Sequence, residues 1–202
     1  MDSRVTRIRR KLAKVPYAPL RSHSFGEEKH GFRLAPPLPT ASVAEFEADH
    51  GIRLPIAYRK FLTTIGGSGA APSYGLLPLR SCRLFTMNPL EKAGSPRGFT
   101  CADPPARPGD LFLNIIEAGC SDLLLLGITG PLTGRVVTGN ADGFWGPNVF
   151  SATDFLAWYE RWLNHMLDGR DNRALHLTSP ALRAALDRIE REHRRRREDQ
   201  SP

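Results

Sequence analysis

Hydrophobic residues recur along this chain at two spacings, and the order of these spacings predicts the elements of the fold. Apolar residues three and four positions apart fall on one face of a helix, and they do so over about 40–50, 55–65 and 155–166. Short apolar runs bounded by glycine, proline or asparagine indicate strands instead. The predicted strands are 74–79, 111–117, 123–129 and 135–138.

Residues at the starts of the predicted helices support these assignments. Ser42 and Glu45 fit a capping box, in which a hydroxyl and a carboxylate satisfy the first free N–H groups of a helix. Ser151 and Asp154 fit the same kind of box before the third helix. Pro55 suits the first turn of the second helix, because proline fixes φ and the first helical N–H needs no partner.

The order helix, helix, strands, helix predicts an α+β fold with a mainly antiparallel sheet flanked by helices. The strands between 111 and 138 are separated by short links, so we expect an antiparallel meander covered by the helix after Asp154. Segment 81–109 is rich in proline and glycine and has little periodicity, which predicts an irregular loop.

The predicted organisation is one domain with helical extensions at both ends. Residues 1–33 form a basic N-terminal extension, 34–167 form the domain, and 168–202 form an appended C-terminal helix with a basic tail. An apolar stripe that begins at Val5 could place a short helix on a membrane surface. A solvated arm is the simpler interpretation of this segment.

The positive charge of the chain belongs to its ends. The net charge is +7, but residues 1–33 hold nine basic and three acidic side chains, and 168–202 hold nine and seven. Residues 34–167 hold ten and eleven, so the predicted domain is nearly neutral. A nucleic-acid-binding fold should line one folded face with basic residues, and this distribution argues against that class for the domain.

The spacing of the cysteines and the lengths of the apolar runs indicate where in the cell the protein is expected. Cys82, Cys101 and Cys120 are odd in number and widely spaced, without the short pair that a structural zinc site needs, so we expect reduced thiols. No apolar run has the length of a signal-peptide core near the N-terminus or of a bilayer crossing elsewhere. The expectation is a cytoplasmic protein with no cofactor and no membrane association.

Templates for catalysis and for metal binding do not fit the sequence. The segment 66–70 lacks the last glycine of the nucleophile elbow G-x-S-x-G and follows a predicted helix rather than a strand. It is not a phosphate-binding loop either, because no lysine follows its glycines. The six histidines never adopt the short spacings of zinc ligands. We therefore expect a binding protein rather than an enzyme, with no catalytic, cofactor or metal residues.

Five residues are candidates for contact with a partner protein. Glu117, Asp122 and Asp142 stand at strand ends or in the following loop, where they could face a basic partner or, less favourably, a metal. Their ordinary explanation is a turn or cap role. Phe144 and Trp145 stand in a loop rich in glycine and asparagine, and loop aromatics often anchor protein interfaces, with packing of the loop itself as the alternative.

The chain resembles the SMI1/KNR4 (SUKH) family in the order and spacing of several motifs. In the first half these are LPT at 38–40, FEADHG at 46–51, RLP at 53–55, YRKFL at 58–62, GG at 66–67 and YGL at 74–76. In the second half they are GCS at 119–121, GP at 130–131, GRV at 134–136 and FLAWYERWL at 155–163. The resemblance covers about 34–167, and its residues are mostly core apolars, turn glycines and capping prolines.

The resemblance implies a SUKH-type fold and a binding role. Bacterial members of the family are immunity proteins that bind and block the toxin domain of a polymorphic toxin, often a nuclease. Eukaryotic relatives are regulatory or scaffolding proteins, and neither group is known for a shared catalytic residue. We therefore expect an immunity protein whose partner is a toxin domain. The alternative is a regulatory or scaffolding protein, associated with nucleic acid through its basic termini.

Overall fold

The computed structural model describes residues 3–21, 23–86, 109–141, 150 and 152–170. Across these residues the chain forms four α-helices and a four-stranded antiparallel sheet, which confirms the predicted α+β class. The helices are α1 (Ser3–Lys14), α2 (Thr40–Asp49), α3 (Ile56–Thr64) and α4 (Phe155–Asp168). The strands are β1 (Leu84–Thr86), β2 (Leu111–Gly119), β3 (Asp122–Gly127) and β4 (Val136–Asn140).

The sheet is a meander in the order β1-β2-β3-β4, as predicted for its last three strands. β3 lies between β2 and β4, which agrees with its nearly continuous apolar sequence. The predicted strand at 74–79 is wrong. Only Leu76 pairs there, in an isolated bridge with Gly69, and the chain then turns into a 3₁₀ helix at Leu79–Ser81. Pro78 stands directly before this turn and has no N–H to donate to a sheet.

Strand β1 was missed because it lies in a segment predicted to be irregular. It is three residues long and pairs with β2 from Leu84 opposite Leu113 to Thr86 opposite Leu111. A run this short carries no alternation that could separate it from a loop. The rest of the predicted loop, 87–108, lies outside the described residues.

One face of the sheet packs against an aromatic helix. The predicted stripe of α4 is confirmed, with Trp158, Tyr159 and Trp162 buried in the same apolar cluster as Ile116 of β2 and Leu124 of β3. The Tyr159 hydroxyl also donates a 2.6 Å hydrogen bond to the carbonyl oxygen of Ala70, so its polar end is satisfied inside the core. The other face carries a second buried cluster, formed by Phe112, Leu123, Leu125, Leu132 and Val137.

Helix α1 belongs to the same core, so the prediction of a solvated arm is wrong for Ser3–Lys14. Val5 and Ile8 are buried, and basic side chains along the same helix meet acids of α4 and of its N-cap. Arg4 forms an ion pair with Asp154 at 2.6 Å, and both Arg7 and Lys11 bind Glu160. The apolar stripe was visible in the sequence, but its partner surface on α4 was not.

The hydrophobic core therefore crosses the predicted boundary between residues 33 and 34. Val15 and Phe32 from the first segment are buried with residues of α3 and α4. The family-type domain 34–167 stays a prediction. Of the predicted C-terminal extension, only 168–170 lie within the described residues.

Two helices begin at prolines rather than at hydroxyl caps. Pro39 is the N-cap of α2, and its φ of −56° and ψ of 142° turn an extended segment into a helix without a side-chain hydrogen bond. The predicted box of Ser42 and Glu45 is therefore wrong, since Ser42 lies inside the helix. Pro55 is the N-cap of α3 in the same way. Asp154 caps α4 by accepting a 2.8 Å hydrogen bond from the Ala157 N–H.

Candidate functional site

Two of the five predicted contact residues lie within the described residues, and both are on the β2–β3 hairpin. Glu117 is exposed and stands opposite Leu123, while Asp122 is exposed and stands opposite Gly119. Directly opposed residues share a face of a sheet and neighbours along a strand alternate, so the two carboxylates flank the hairpin from opposite faces. Asp142, Phe144 and Trp145 lie outside the described residues.

The tip of this hairpin is a tight two-residue turn. Gly119 pairs with Asp122, and the two residues between them, Cys120 and Ser121, have φ values of 49° and 67°. Positive φ at both turn positions is the geometry that suits the right-handed twist of a hairpin, but it favours glycine and asparagine. A cysteine and a serine there cost about 1 kcal/mol or more each, and the surrounding structure must hold them.

An exposed pair of aromatic rings lies against the hairpin tip. The rings of Phe25 and Tyr74 have centroids 5.1 Å apart and an interplanar angle of 52°. A Cβ atom placed on Gly119 would lie 3.4 Å from the Phe25 ring and 3.7 Å from the Tyr74 ring, so both rings cover this glycine. Phe25 is 60% exposed and Tyr74 is 39% exposed. We call Phe25, Tyr74 and the turn Gly119–Asp122 the hairpin patch.

A network of polar contacts fixes the loop that carries Phe25. The Glu27 carboxylate accepts hydrogen bonds from the Arg21 guanidinium at 2.6 Å and from the Ser24 N–H at 2.8 Å, and it also contacts His23. Burial opposes ionisation of Glu27, but these hydrogen bonds outweigh it and lower the pKa of the carboxyl. The loop is therefore organised before any partner binds.

Close backbone packing holds this loop against the one that carries Tyr74. Gly26 has a φ of 80°, and a Cβ atom there would lie 2.5 Å from the carbonyl oxygen of Ser73. Only glycine allows both this conformation and this approach. Gly75 likewise allows a close approach in the Tyr74 loop, since a Cβ atom there would lie 2.5 Å from the carbonyl oxygen of Gly69.

His30 joins the two loops from beneath. Its Nδ1 accepts a 3.0 Å hydrogen bond from the Phe32 N–H, and its ring also bonds to the backbone of Ala71 and Ser73. Burial lowers the pKa of His30, with the backbone contacts acting in the opposite direction. The Nδ1 atom can accept the Phe32 N–H only when it carries no proton, so the packing requires the neutral ring.

Two buried side chains that could act as nucleophiles, Cys82 and Tyr58, are held in their protonated forms. Cys82 and Tyr58 are buried side by side, and burial raises the pKa of Cys82 to about 12 and that of Tyr58 well above its usual range. A thiol needs its thiolate form to attack a substrate. These two side chains are therefore packing elements. Across the described residues, no three His, Cys, Asp or Glu side chains are arranged to hold a metal ion.

A buried carboxylate, Glu47, ties α2 to α3. Its side chain is 3% exposed, and one oxygen accepts a 2.8 Å hydrogen bond from the Leu54 N–H while the other lies 3.0 Å from the Arg59 guanidinium. Glu47 follows Phe46 and lies four residues after Val43, so it falls on the buried stripe of α2. An acid at such a position needs a cation, and here its role is structural.

Phe25 and Tyr74 were not among the predicted contact residues, although each stands directly before a glycine in a loop. Phe144 and Trp145, which were predicted, are likewise aromatic residues in a loop that contains glycine. What the sequence lacked was the pairing of the Phe25 and Tyr74 loops, which come from distant segments. No local pattern reports a contact between two irregular loops.

Comparisons of this chain with protein-family models, with curated proteins and with solved structures found no match. The SMI1/KNR4 assignment therefore stays a prediction that rests on the motif order. Across the described residues we find no helix with the length and apolar character that a bilayer crossing needs.

Proposed function

We propose that this chain is a non-catalytic protein-binding module of the SMI1/KNR4 type, and that it is an immunity protein that covers the active site of a toxin domain. The order of two helices, an antiparallel meander and an aromatic helix is compatible with the resemblance. The observation that carries the binding role is the hairpin patch. It presents two aromatic rings and the Asp122 carboxylate on loops held by hydrogen bonds and close backbone packing, and Glu117 lies nearby on β2.

The hairpin patch has the composition of an interface anchor. Tyrosine and other aromatics supply much of the binding energy at protein interfaces, and they do so best where little side-chain freedom is lost on binding. Phe25 and Tyr74 already contact each other in a tilted arrangement, and the Glu27 network and Gly26 hold their loops. The two exposed rings lie side by side, and contiguous exposed apolar surface is a feature of protein interaction sites.

The flanking acids favour a basic partner surface. Glu117 and Asp122 stand on the two faces of the hairpin beside the rings. A nuclease toxin carries positive charge in its substrate cleft, which these carboxylates would meet on either side of the inserted hairpin. Complementary charge of this kind raises the association rate and makes it sensitive to salt.

The contacts of helix α1 argue against the alternative, in which the basic N-terminal segment binds nucleic acid. Arg4, Arg7 and Lys11 are the basic residues of its inner face, and all three are paired with Asp154 or Glu160 of α4. Arg9 donates to the Thr64 carbonyl at the end of α3. Phosphate contacts by these side chains would have to replace contacts that hold α1 in the core.

The test is neutralisation of a toxin in cells. A toxin domain encoded beside this chain would be co-expressed with the wild-type chain, with the double variant Phe25→Ser/Tyr74→Ser, and with the control Ile56→Ser, which removes another exposed apolar side chain. We expect growth with the wild-type chain and the control, and toxicity with the double variant at equal protein level. Equal growth with the double variant would contradict the role of the patch, and lack of protection by the wild-type chain would contradict immunity.

A further inference from the structure

An open cleft of about 650 Å³ lies beside α2 and shares no residue with the hairpin patch. Its walls are α2, the segment before α2, the glycine loop after α3 and the 3₁₀ turn that begins at Leu79. The volume lies in the range of sites that bind small molecules or short peptide segments. Nothing in the proposed toxin contact uses this cleft.

The floor of the cleft is apolar and its walls are fixed. Leu38, Phe46 and Leu79 line it, and Phe46 and Leu79 are almost completely buried. Gly67 lets the loop approach, because a Cβ atom there would lie 3.0 Å from the Leu38 side chain. The Ala35 N–H donates to the carbonyl oxygen of Ser68 at 2.9 Å across this junction. The cleft is therefore formed before a ligand enters.

The rim on α2 is acidic. Glu45 and Asp49 both line the cleft, both are exposed, and their spacing of four residues places them on one face of the helix. His50 continues this rim, with its ring stacked on Phe46 at a centroid distance of 4.1 Å. Arg80 stands on the opposite wall. In a chain with a net charge of +7, a cleft with two carboxylates and one guanidinium is a local site for a cation.

We infer that this cleft binds a short extended segment of a protein partner in which a lysine or arginine stands next to an aliphatic residue. The cationic side chain lies along Glu45 and Asp49, and the aliphatic one covers Leu38, Phe46 and Leu79. Arg80 faces the segment from the other wall and donates to its backbone carbonyl groups. Phosphate-rich ligands are disfavoured, because the two carboxylates repel them.

The test is a titration of the full chain with short peptides, followed by amide chemical shifts. The probes are blocked hexapeptides with a central arginine–leucine pair, a lysine–leucine pair or a glutamate–leucine pair. We expect the first two to shift the amides of Leu38, Phe46 and Arg80, with a dissociation constant on the order of 100 μM. The glutamate peptide should bind at least about tenfold more weakly.

Two variants of the cleft and one control separate the effect of the acidic rim on peptide binding from the effect of the open volume. Glu45→Lys/Asp49→Lys should weaken the arginine peptide at least about tenfold, and Ser42→Trp should weaken it by filling the cleft without a change of charge. Glu28→Lys reverses an exposed acid outside both the cleft and the hairpin patch and should leave the peptide affinity unchanged. Thermal unfolding checks that each variant folds.

Three results would overturn the cleft proposal: no binding of either basic peptide, equal binding of the glutamate peptide, or shifts that map away from the cleft. The proposal for the cleft and the proposal for the hairpin patch can be contradicted independently of each other. The Glu45→Lys/Asp49→Lys variant should still protect cells from the toxin, whereas Phe25→Ser/Tyr74→Ser should still bind the peptide.

Discussion

The rings of Phe25 and Tyr74 contact each other at a centroid distance of 5.1 Å although they come from two separate irregular loops. This contact exists because Gly26 lets one backbone approach the Ser73 carbonyl of the other. The rings cover Gly119 at the tip of the β2–β3 hairpin. Two loops and a turn thus form one exposed surface, which is supported by the backbone contact at Gly26 and by the hydrogen bonds of the Glu27 carboxylate.

Replacement of Gly26 by alanine should detach the Phe25 loop from Tyr74. The new Cβ would lie 2.5 Å from the Ser73 carbonyl oxygen, in addition to the strain of a left-handed residue, so we expect a loss of about 2 kcal/mol or more in the free energy of unfolding. The measurement is chemical denaturation together with the ring shifts of Tyr74.

Gly51→Ala is the matched control for this variant. Gly51 has a φ of 62°, but a Cβ atom there would meet nothing within 4 Å. It should cost about 1 kcal/mol and leave the Tyr74 ring shifts unchanged. Equal losses for Gly26→Ala and Gly51→Ala would show that the loops do not dock as described.

Removal of the buried Glu47 carboxylate should be strongly destabilising. Glu47→Ala leaves the Leu54 N–H without its acceptor and Arg59, which is one-third exposed, without this ion pair, and we expect a loss of about 2–3 kcal/mol. Glu47→Gln keeps an acceptor and should lose less. The exposed Glu45→Ala on the same helix should change the free energy of unfolding by about 0.5 kcal/mol or less. A small effect of Glu47→Ala would contradict the buried ion pair.

The Glu160 contacts with α1 should make the protein sensitive to acid. Hydrogen bonds from Arg7 are the main cause that lowers the pKa of Glu160 from its usual 4.5 to about 2. The unfolded chain therefore binds this proton more tightly, and the stabilisation is complete above pH 4.5 and is lost as the pH falls toward 2. Urea denaturation at several pH values should give a loss of roughly 1–3 kcal/mol over this window.

Glu160→Gln should remove the Glu160 share of this pH dependence and so reduce its slope, while the exposed Glu28→Gln should leave the slope as in the wild-type chain. The same slope in Glu160→Gln as in the wild-type chain would mean that α1 is not held by these ion pairs.

His30 should produce a second pH dependence, at higher pH. Burial lowers its pKa in the folded state below the usual 6.5, so the unfolded chain takes up the proton first. Stability is then greatest above pH 6.5 and falls as the pH drops below this value toward the folded-state pKa. A direct titration of the His30 ring by NMR should give a midpoint below 6.5, and a midpoint at or above it would contradict the neutral, buried ring.

Local patterns predicted much of the fold. The stripes of α3 and α4 and the apolar runs of β2 and β3 are long enough for their periodicity to decide the element type. The capping box at Ser42 failed because Pro39 presets the backbone one turn earlier. The stripe of α1 was recognised, but only the acids at 154 and 160, far along the chain, decide that it packs rather than remains solvated.

The candidate site was predictable only in part. Asp122 lies at a strand end, as predicted, whereas β2 continues past Glu117 to Gly119. Their placement on opposite faces depends on the register of β2 against β3. That register is set by the two-residue turn at Cys120 and Ser121, which lacks the glycine or asparagine that would have marked it in the sequence. Phe25 and Tyr74 required knowledge of loop packing that no period conveys.

The measurement that tests the central claim most directly is the affinity of the purified toxin domain for the wild-type chain and for Phe25→Ser/Tyr74→Ser, by calorimetry at low and high salt. We expect a one-to-one complex with the wild-type chain, weakened at least about a hundredfold in the double variant, because two central aromatics are lost. Glu117→Lys should instead reduce the salt dependence. An unchanged affinity of the double variant would contradict a binding role for the hairpin patch.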